Sequence, residues 1–161
     1  MKKYVIAGCG NRGINAYAIP LVKDYSDVAE LVGVFDVNYK RAEAVSELSG
    51  RDIPVFRDFG EMLNVAKPDV VIVTTTDATH DHYAIRAMES GCDVISEKPM
   101  TMDAKKCQEI IDCIERTGKN LRVTFNYRYA PHNTKVRELI MNDTIGEVKQ
   151  VHFEWLLNTV H

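Results

Sequence analysis

The chain has 161 residues, 45% hydrophobic and 27% charged, which is the length and composition of about one soluble globular domain. Its net charge of −3 lacks the basic balance that nucleic-acid binding calls for, and no apolar run approaches the roughly 18–20 residues that span a bilayer. Nucleic-acid and membrane partners are therefore not expected.

Taken in chain order, Met1-Lys2-Lys3 resembles the start of a signal peptide, but the apolar run Tyr4-Val5-Ile6-Ala7 stops at Gly8 with no cleavage-type stretch after it. It reads as a first strand, and the protein as cytoplasmic. Further apolar runs at Leu31–Phe35, Val70–Thr74, Val94–Ile95 and Leu121–Phe125, with a shorter one at Val55-Phe56, lack polar alternation. Such runs suit strands buried on both faces of a parallel sheet. Helical stripes lie between them: Ile14, Ala18, Leu21 and Val22, then Ala42, Val45 and Leu48, then Tyr83 and Ala87 with Ala84 and Met88, then Ile110, Ile111 and Ile114. Pro20 is expected to kink or split the first helix, and Asp103 and Gly118 to cap the last. Alternating strands and helices argue a doubly wound Rossmann-type α/β domain over residues 1–125. The four cysteines have no metal-type spacing and are expected to be reduced; no metal site is expected.

The pattern changes near Asn126. A helix is expected over Pro131–Asn142, followed by a half-buried strand in which Val151, Phe153, Trp155 and Leu157 alternate with polar residues. One helix and one strand form no independent core, so residues 126–161 are expected to be the beginning of a second, incomplete α/β domain.

Four groups of residues carry chemistry. Gly8-Cys9-Gly10-Asn11-Arg12-Gly13 is a GxGxxG between a strand and a helix, where a dinucleotide's pyrophosphate meets backbone N–H groups. Asp36 ends the second strand, 23 residues after Gly13, close to the expected spacing for the acid that binds the adenine ribose. A carboxylate there repels a 2′-phosphate, so NAD is preferred over NADP; Lys40 and Arg41 nearby weaken that preference. Thr74-Thr75-Thr76-Asp77-Ala78-Thr79-His80 follows the next long strand, at the carboxyl edge where such sheets bind ligands. Glu97-Lys98-Pro99 then follows Val94-Ile95-Ser96; Pro99 disfavours a helical Lys98, which would project from the sheet rim toward the nicotinamide end.

These motifs, with Asn126-Tyr127-Arg128-Tyr129-Ala130-Pro131 and Ile145-Gly146-Glu147-Val148, resemble the glucose–fructose oxidoreductase / inositol dehydrogenase family (Gfo/Idh/MocA). The resemblance implies an NAD(P)-dependent oxidoreductase acting on a hydroxyl of a sugar, polyol or related small molecule, and oligomerisation through the second domain. It implies Lys98 as the catalytic lysine and Glu97 as support for the nicotinamide ribose. Gly8, Gly10, Asn11, Arg12, Gly13, Asp36, Thr75, Thr76 and His80 would line the dinucleotide, with Asn126 and Arg128 near the nicotinamide. Thr76 departs from the proline usual there. The family's proton-transfer Asp and His lie in the second domain and would fall beyond His161, so this chain is expected to be inactive alone. Two alternatives are an NAD-dependent glycosidase working through transient oxidation and a non-catalytic NAD(P)-binding regulator.

Overall fold

The computed structural model describes residues 1–154 and 156. Six strands, β1 (Lys2–Ala7), β2 (Ala29–Phe35), β3 (Val55–Phe56), β4 (Val70–Val73), β5 (Asp93–Glu97) and β6 (Leu121–Thr124), form one parallel sheet in the order β3-β2-β1-β4-β5-β6. This is the strand order of the doubly wound dinucleotide-binding fold, with its switch point between β1 and β4. Side chains alternate across the sheet. Val5, Ala7, Val71 and Val73 pack under α4 (Phe59–Ala66), α5 (His80–Glu89) and α6 (Ala104–Thr117), whereas Ile6 and Ile72 face the opposite core with Ile14, Ala18, Ala42 and Val45.

β2 breaks this alternation once. Its pairing with β1 slips between Tyr4↔Leu31 and Val5↔Gly33, leaving Val32 as an extra residue, so Leu31 and Val34 share one face. A Cβ on Gly33 would lie 2.7 Å from the Phe56 ring, so the glycine makes room for β3's aromatic residue.

Helix starts follow local chemistry. Asn38, Asp58 and Asp103 accept the backbone N–H of Lys40, Glu61 and Lys106 at the starts of α3 (Tyr39–Ser49), α4 and α6, and α6 stops at Gly118 in the left-handed region. The first helical segment is split, as Pro20 requires: α1 (Asn11–Gly13), a π-helical turn (Ile14–Ala18) and α2 (Ile19–Lys23), with Pro20 in the first turn of α2. A proline there has no N–H to give to residue 16, and the wider turn upstream absorbs the missing bond.

The chain divides into two compact units, Met1–Thr124 and a second that begins at Phe125. The second holds a 3-10 turn (Asn126–Tyr129) and α7 (Pro131–Met141), whose Val136 and Ile140 are exposed. The strand expected from residue 150 onward does not form at 150–154, and Trp155 and Leu157 lie outside the described residues. Alternating polarity describes a face, but a strand exists only where another strand takes its hydrogen bonds in a ladder, and residues 150–154 are not part of the sheet. All four cysteines are free thiols. No helix among the described residues is long and apolar enough to cross a membrane.

Candidate dinucleotide site

The loops after β1, β2 and β4 meet at the carboxyl edge of the sheet around a cleft of about 220 Å³. Gly8, Gly10, Asp36, Thr75 and Thr76 line it, together with Arg41, Thr79 and Tyr83. Two glycines of the first loop are required by the protein itself. Gly8 has φ +99°, and a Cβ there would lie 2.5 Å from the Thr74 carbonyl. A Cβ on Gly13 would lie 2.1 Å from the Gly8 oxygen, so only glycine lets the helix sit this close to the strand end. Gly10 differs: a Cβ there meets nothing within 4 Å, so protein packing does not explain it. Its open side is where backbone can approach a ligand. Asn11, Arg12 and Gly13 form the first helical turn, whose N–H groups have no intrahelical acceptor.

Asp36 is only 7% exposed and fixed by backbone donors: Cys9 N–H gives to Oδ2 and Asn38 N–H to Oδ1, each at 2.7 Å. Asn38, not Asp36, caps α3. The thiol of Cys9 is buried and donates to the Phe35 carbonyl at 3.6 Å. Burial, reinforced by the Asp36 charge, pushes that thiol up to about 12.

A second polar group lies at the end of β5. Glu97 is 6% exposed; its Oε1 accepts from Arg12 Nε and Tyr17 OH, both at 2.7 Å, and its Oε2 from Lys98 N–H at 3.3 Å. Tyr17 OH also lies 2.9 Å from Thr124 Oγ1. Burial alone would raise the Glu97 carboxyl, but the hydrogen bonds from Tyr17 and Arg12 outweigh it and hold the group below the usual carboxylate range. Burial pushes the Tyr17 hydroxyl up to about 12, and its bond to Glu97 acts in the same direction. Lys98 is exposed, and its ammonium makes no ion pair or hydrogen bond among the described residues. The Lys98–Pro99 peptide is cis.

Apart from the exposed Lys98, the expected residues thus fall into three sets. Gly8, Gly10, Asp36, Thr75 and Thr76 share the cleft, and Asn11 and Gly13 open the helix beside it. Arg12, Glu97 and His80 face protein groups instead: His80 is 1% exposed, with Nδ1 2.7 Å from the Pro99 oxygen and Nε2 3.1 Å from the Thr75 oxygen. Asn126 and Arg128 belong to the second unit, on its 3-10 turn. Sequence reading missed Tyr83 in the cleft and Tyr17 beneath β5. Tyr83 sits on a helical stripe that reads as core and Tyr17 next to one, and nothing local shows where a hydroxyl on such a helix ends.

A family model described as an oxidoreductase family with an NAD-binding Rossmann fold (Gfo/Idh/MocA) matches residues 2–125. The chain belongs to this family. Among Gfo/Idh/MocA relatives, D-glucoside 3-dehydrogenase of Escherichia coli is 35% identical over 119 residues, covering 74% of this chain and 34% of that protein. Inositol 2-dehydrogenase of Klebsiella pneumoniae is 32% identical over 119 residues, covering 73% and 35%. The crystal structure of the WlbA dehydrogenase from Bordetella pertussis in complex with NADH and UDP-GlcNAcA superposes with a TM-score of 0.81 at 25% identity, over 89% of this chain and 43% of that one. The chain spans less than half the length of the curated relatives it matches. What membership gives the chain is the NAD-binding Rossmann fold of an oxidoreductase family.

Proposed function

We propose that this chain supplies the dinucleotide-binding half of an NAD-dependent dehydrogenase that oxidises a hydroxyl of a sugar, polyol or related small molecule. What supports this most is one arrangement at the carboxyl edge of the sheet. The Gly10 backbone faces open space, the Asp36 carboxylate is fixed in the cleft, and Lys98 stands exposed after the neighbouring β5. Those residues fit the cofactor. Backbone N–H groups of Gly10, Asn11 and Gly13 would hold its pyrophosphate, Asp36 its adenine ribose, and Thr75 and Thr76 its flank.

NAD, when bound, supplies the hydride acceptor. Lys98 would stand at the nicotinamide ribose and the substrate hydroxyl, where an ammonium gives hydrogen bonds and orients the oxygen. A protonated ammonium has no lone pair for a proton, so the base that takes the hydroxyl proton is a separate group, which the resemblance puts in the second domain. Asp36 disfavours a 2′-phosphate by charge, while Arg41 in the same cleft works against that discrimination.

Calorimetric titration with NAD and with NADP tests the reading. NAD is expected to bind more tightly, and Asp36→Ala to weaken it about tenfold or more, the worth of charge-assisted hydrogen bonds. Equal affinity for NADP would refute the role given to Asp36, and no binding of either would refute the site. Formation of NADH from sugars and polyols, assayed with the second domain present, tests the substrate class.

A further inference from the structure

The segment that presents Lys98 is anchored on both sides by side chains from distant parts of the chain. On the N-terminal side, three of the roughly four lone-pair positions of the Glu97 carboxylate are taken, by Arg12 Nε, Tyr17 OH and the Lys98 N–H. Tyr17 comes from the π-helical turn and bridges Glu97 to Thr124 at the end of β6. On the C-terminal side, the Pro99 carbonyl meets His80 Nδ1 at 2.7 Å. The other ring nitrogen, Nε2, lies 3.1 Å from the Thr75 oxygen, so the ring spans two backbone carbonyls. Lys98 lies between these anchors with its ammonium free of protein partners among the described residues.

A flexible exposed lysine owes its reach to its backbone. Here the residue before it and the residue after it are each fixed by part-buried polar bonds to or from the buried Glu97 and His80 side chains, and such bonds are stronger than ones fully open to water. We propose that Arg12, Tyr17 and His80 are positioning residues that set where Lys98 presents its ammonium, with Glu97 and Pro99 as the points they hold. This rests on the reading of Lys98 given above. It gives Arg12, Glu97 and His80 a task other than contact with the dinucleotide.

Paired titrations of the 161-residue chain with NAD and with ADP test it, because ADP reports the glycine loop and Asp36 but lacks the nicotinamide end. Lys98→Ala is expected to weaken NAD about threefold to tenfold and leave ADP unchanged, the worth of one hydrogen bond. Tyr17→Phe, Arg12→Gln and His80→Leu should each reproduce part of that loss, again with ADP unchanged, and should add nothing in a Lys98→Ala background. His80→Asn, which keeps an N–H near the Nδ1 position, should recover affinity lost in His80→Leu. If Lys98→Ala weakens NAD and the other variants do not, the positioning proposal is overturned while the reading of Lys98 stands. Equal weakening of ADP, or losses that add to Lys98→Ala, would make these residues structural or phosphate-binding and overturn it too. If Lys98→Ala leaves NAD unchanged, the role of Lys98 fails, and the proposal with it.

Discussion

The two carboxylates at the carboxyl edge of the sheet, Asp36 after β2 and Glu97 at the end of β5, are both buried and hydrogen-bonded, but by different kinds of donor. Asp36 is held by two backbone N–H groups, from the glycine loop and from the residue two positions on. Glu97 is held chiefly by side chains 85 and 80 residues earlier in the chain. A backbone donor is available to any sequence that folds this way. A side-chain donor exists only where that residue was chosen. Replacement should therefore be tolerated for different reasons at the two ends, and four measurements sharpen or break this contrast.

The largest effect is expected in the glycine loop. Gly13→Ala drives a Cβ into the Gly8 carbonyl and should cost about 3 kcal/mol or more in urea unfolding, as forced backbone shifts do. Gly10→Ala, with no protein neighbour, should stay within about 1 kcal/mol of the parent and act on NAD affinity instead. Similar stability losses at both would show that Gly10 also serves packing.

Next comes the β5 end. Tyr17→Phe removes one donor from Glu97 and the contact with Thr124, which keeps its bond to the Ser96 carbonyl, a loss of about 1–2 kcal/mol in chemical unfolding. No measurable loss would mean that the remote network does not hold its carboxylate.

The same network should mark the pH profile at both limbs. Because Glu97 is held below its unfolded value, its contribution is complete above about pH 4.3 and is lost as pH falls through the lower folded value. Glu97→Gln should therefore flatten the acid limb of melting temperature against pH. Tyr17 is raised to about 12, so its contribution is complete below its unfolded value and is lost as pH rises through the folded one. Tyr17→Phe should flatten the alkaline limb; unchanged slopes in both variants would count against the network.

The smallest effect lies outside the sheet. Val151 is 78% exposed in a segment without a ladder, so Val151→Thr should change stability by no more than about 0.5 kcal/mol. A larger loss by thermal melting would reveal packing that the exposed position does not suggest.

This contrast also explains what was legible in the sequence. The position of the glycine loop, that of Asp36 at the end of β2, the caps of α6 and the buried strands could be read because each depends on residues a few positions apart or on a fixed strand–helix spacing. The split at Pro20 was legible for the same reason, since a missing N–H is a local fact. The Arg12–Glu97–Tyr17 group was not, because it pairs positions on opposite sides of the switch point that only the folded sheet brings together. His80 shows the limit well: the motif marks the residue, but its burial and its bond to Pro99 depend on the approach of the loop after β5. At residues 150–154 the expected strand does not form for the complementary reason, since a polarity pattern is local but a ladder is not.

Cys9 sits between Gly8 and Gly10, which line the cleft, a position where a reactive thiol would open the nucleotide site to oxidants and alkylating reagents. Its thiol is 1% exposed, turned toward the Phe35 carbonyl and raised to about 12 by burial, so at neutral pH essentially no thiolate is present to react. The loop is chemically quiet although it carries sulfur. Cys107, the one cysteine that is not buried, should be the first to take up iodoacetamide, and the cleft should keep its affinity for NAD through mild peroxide treatment.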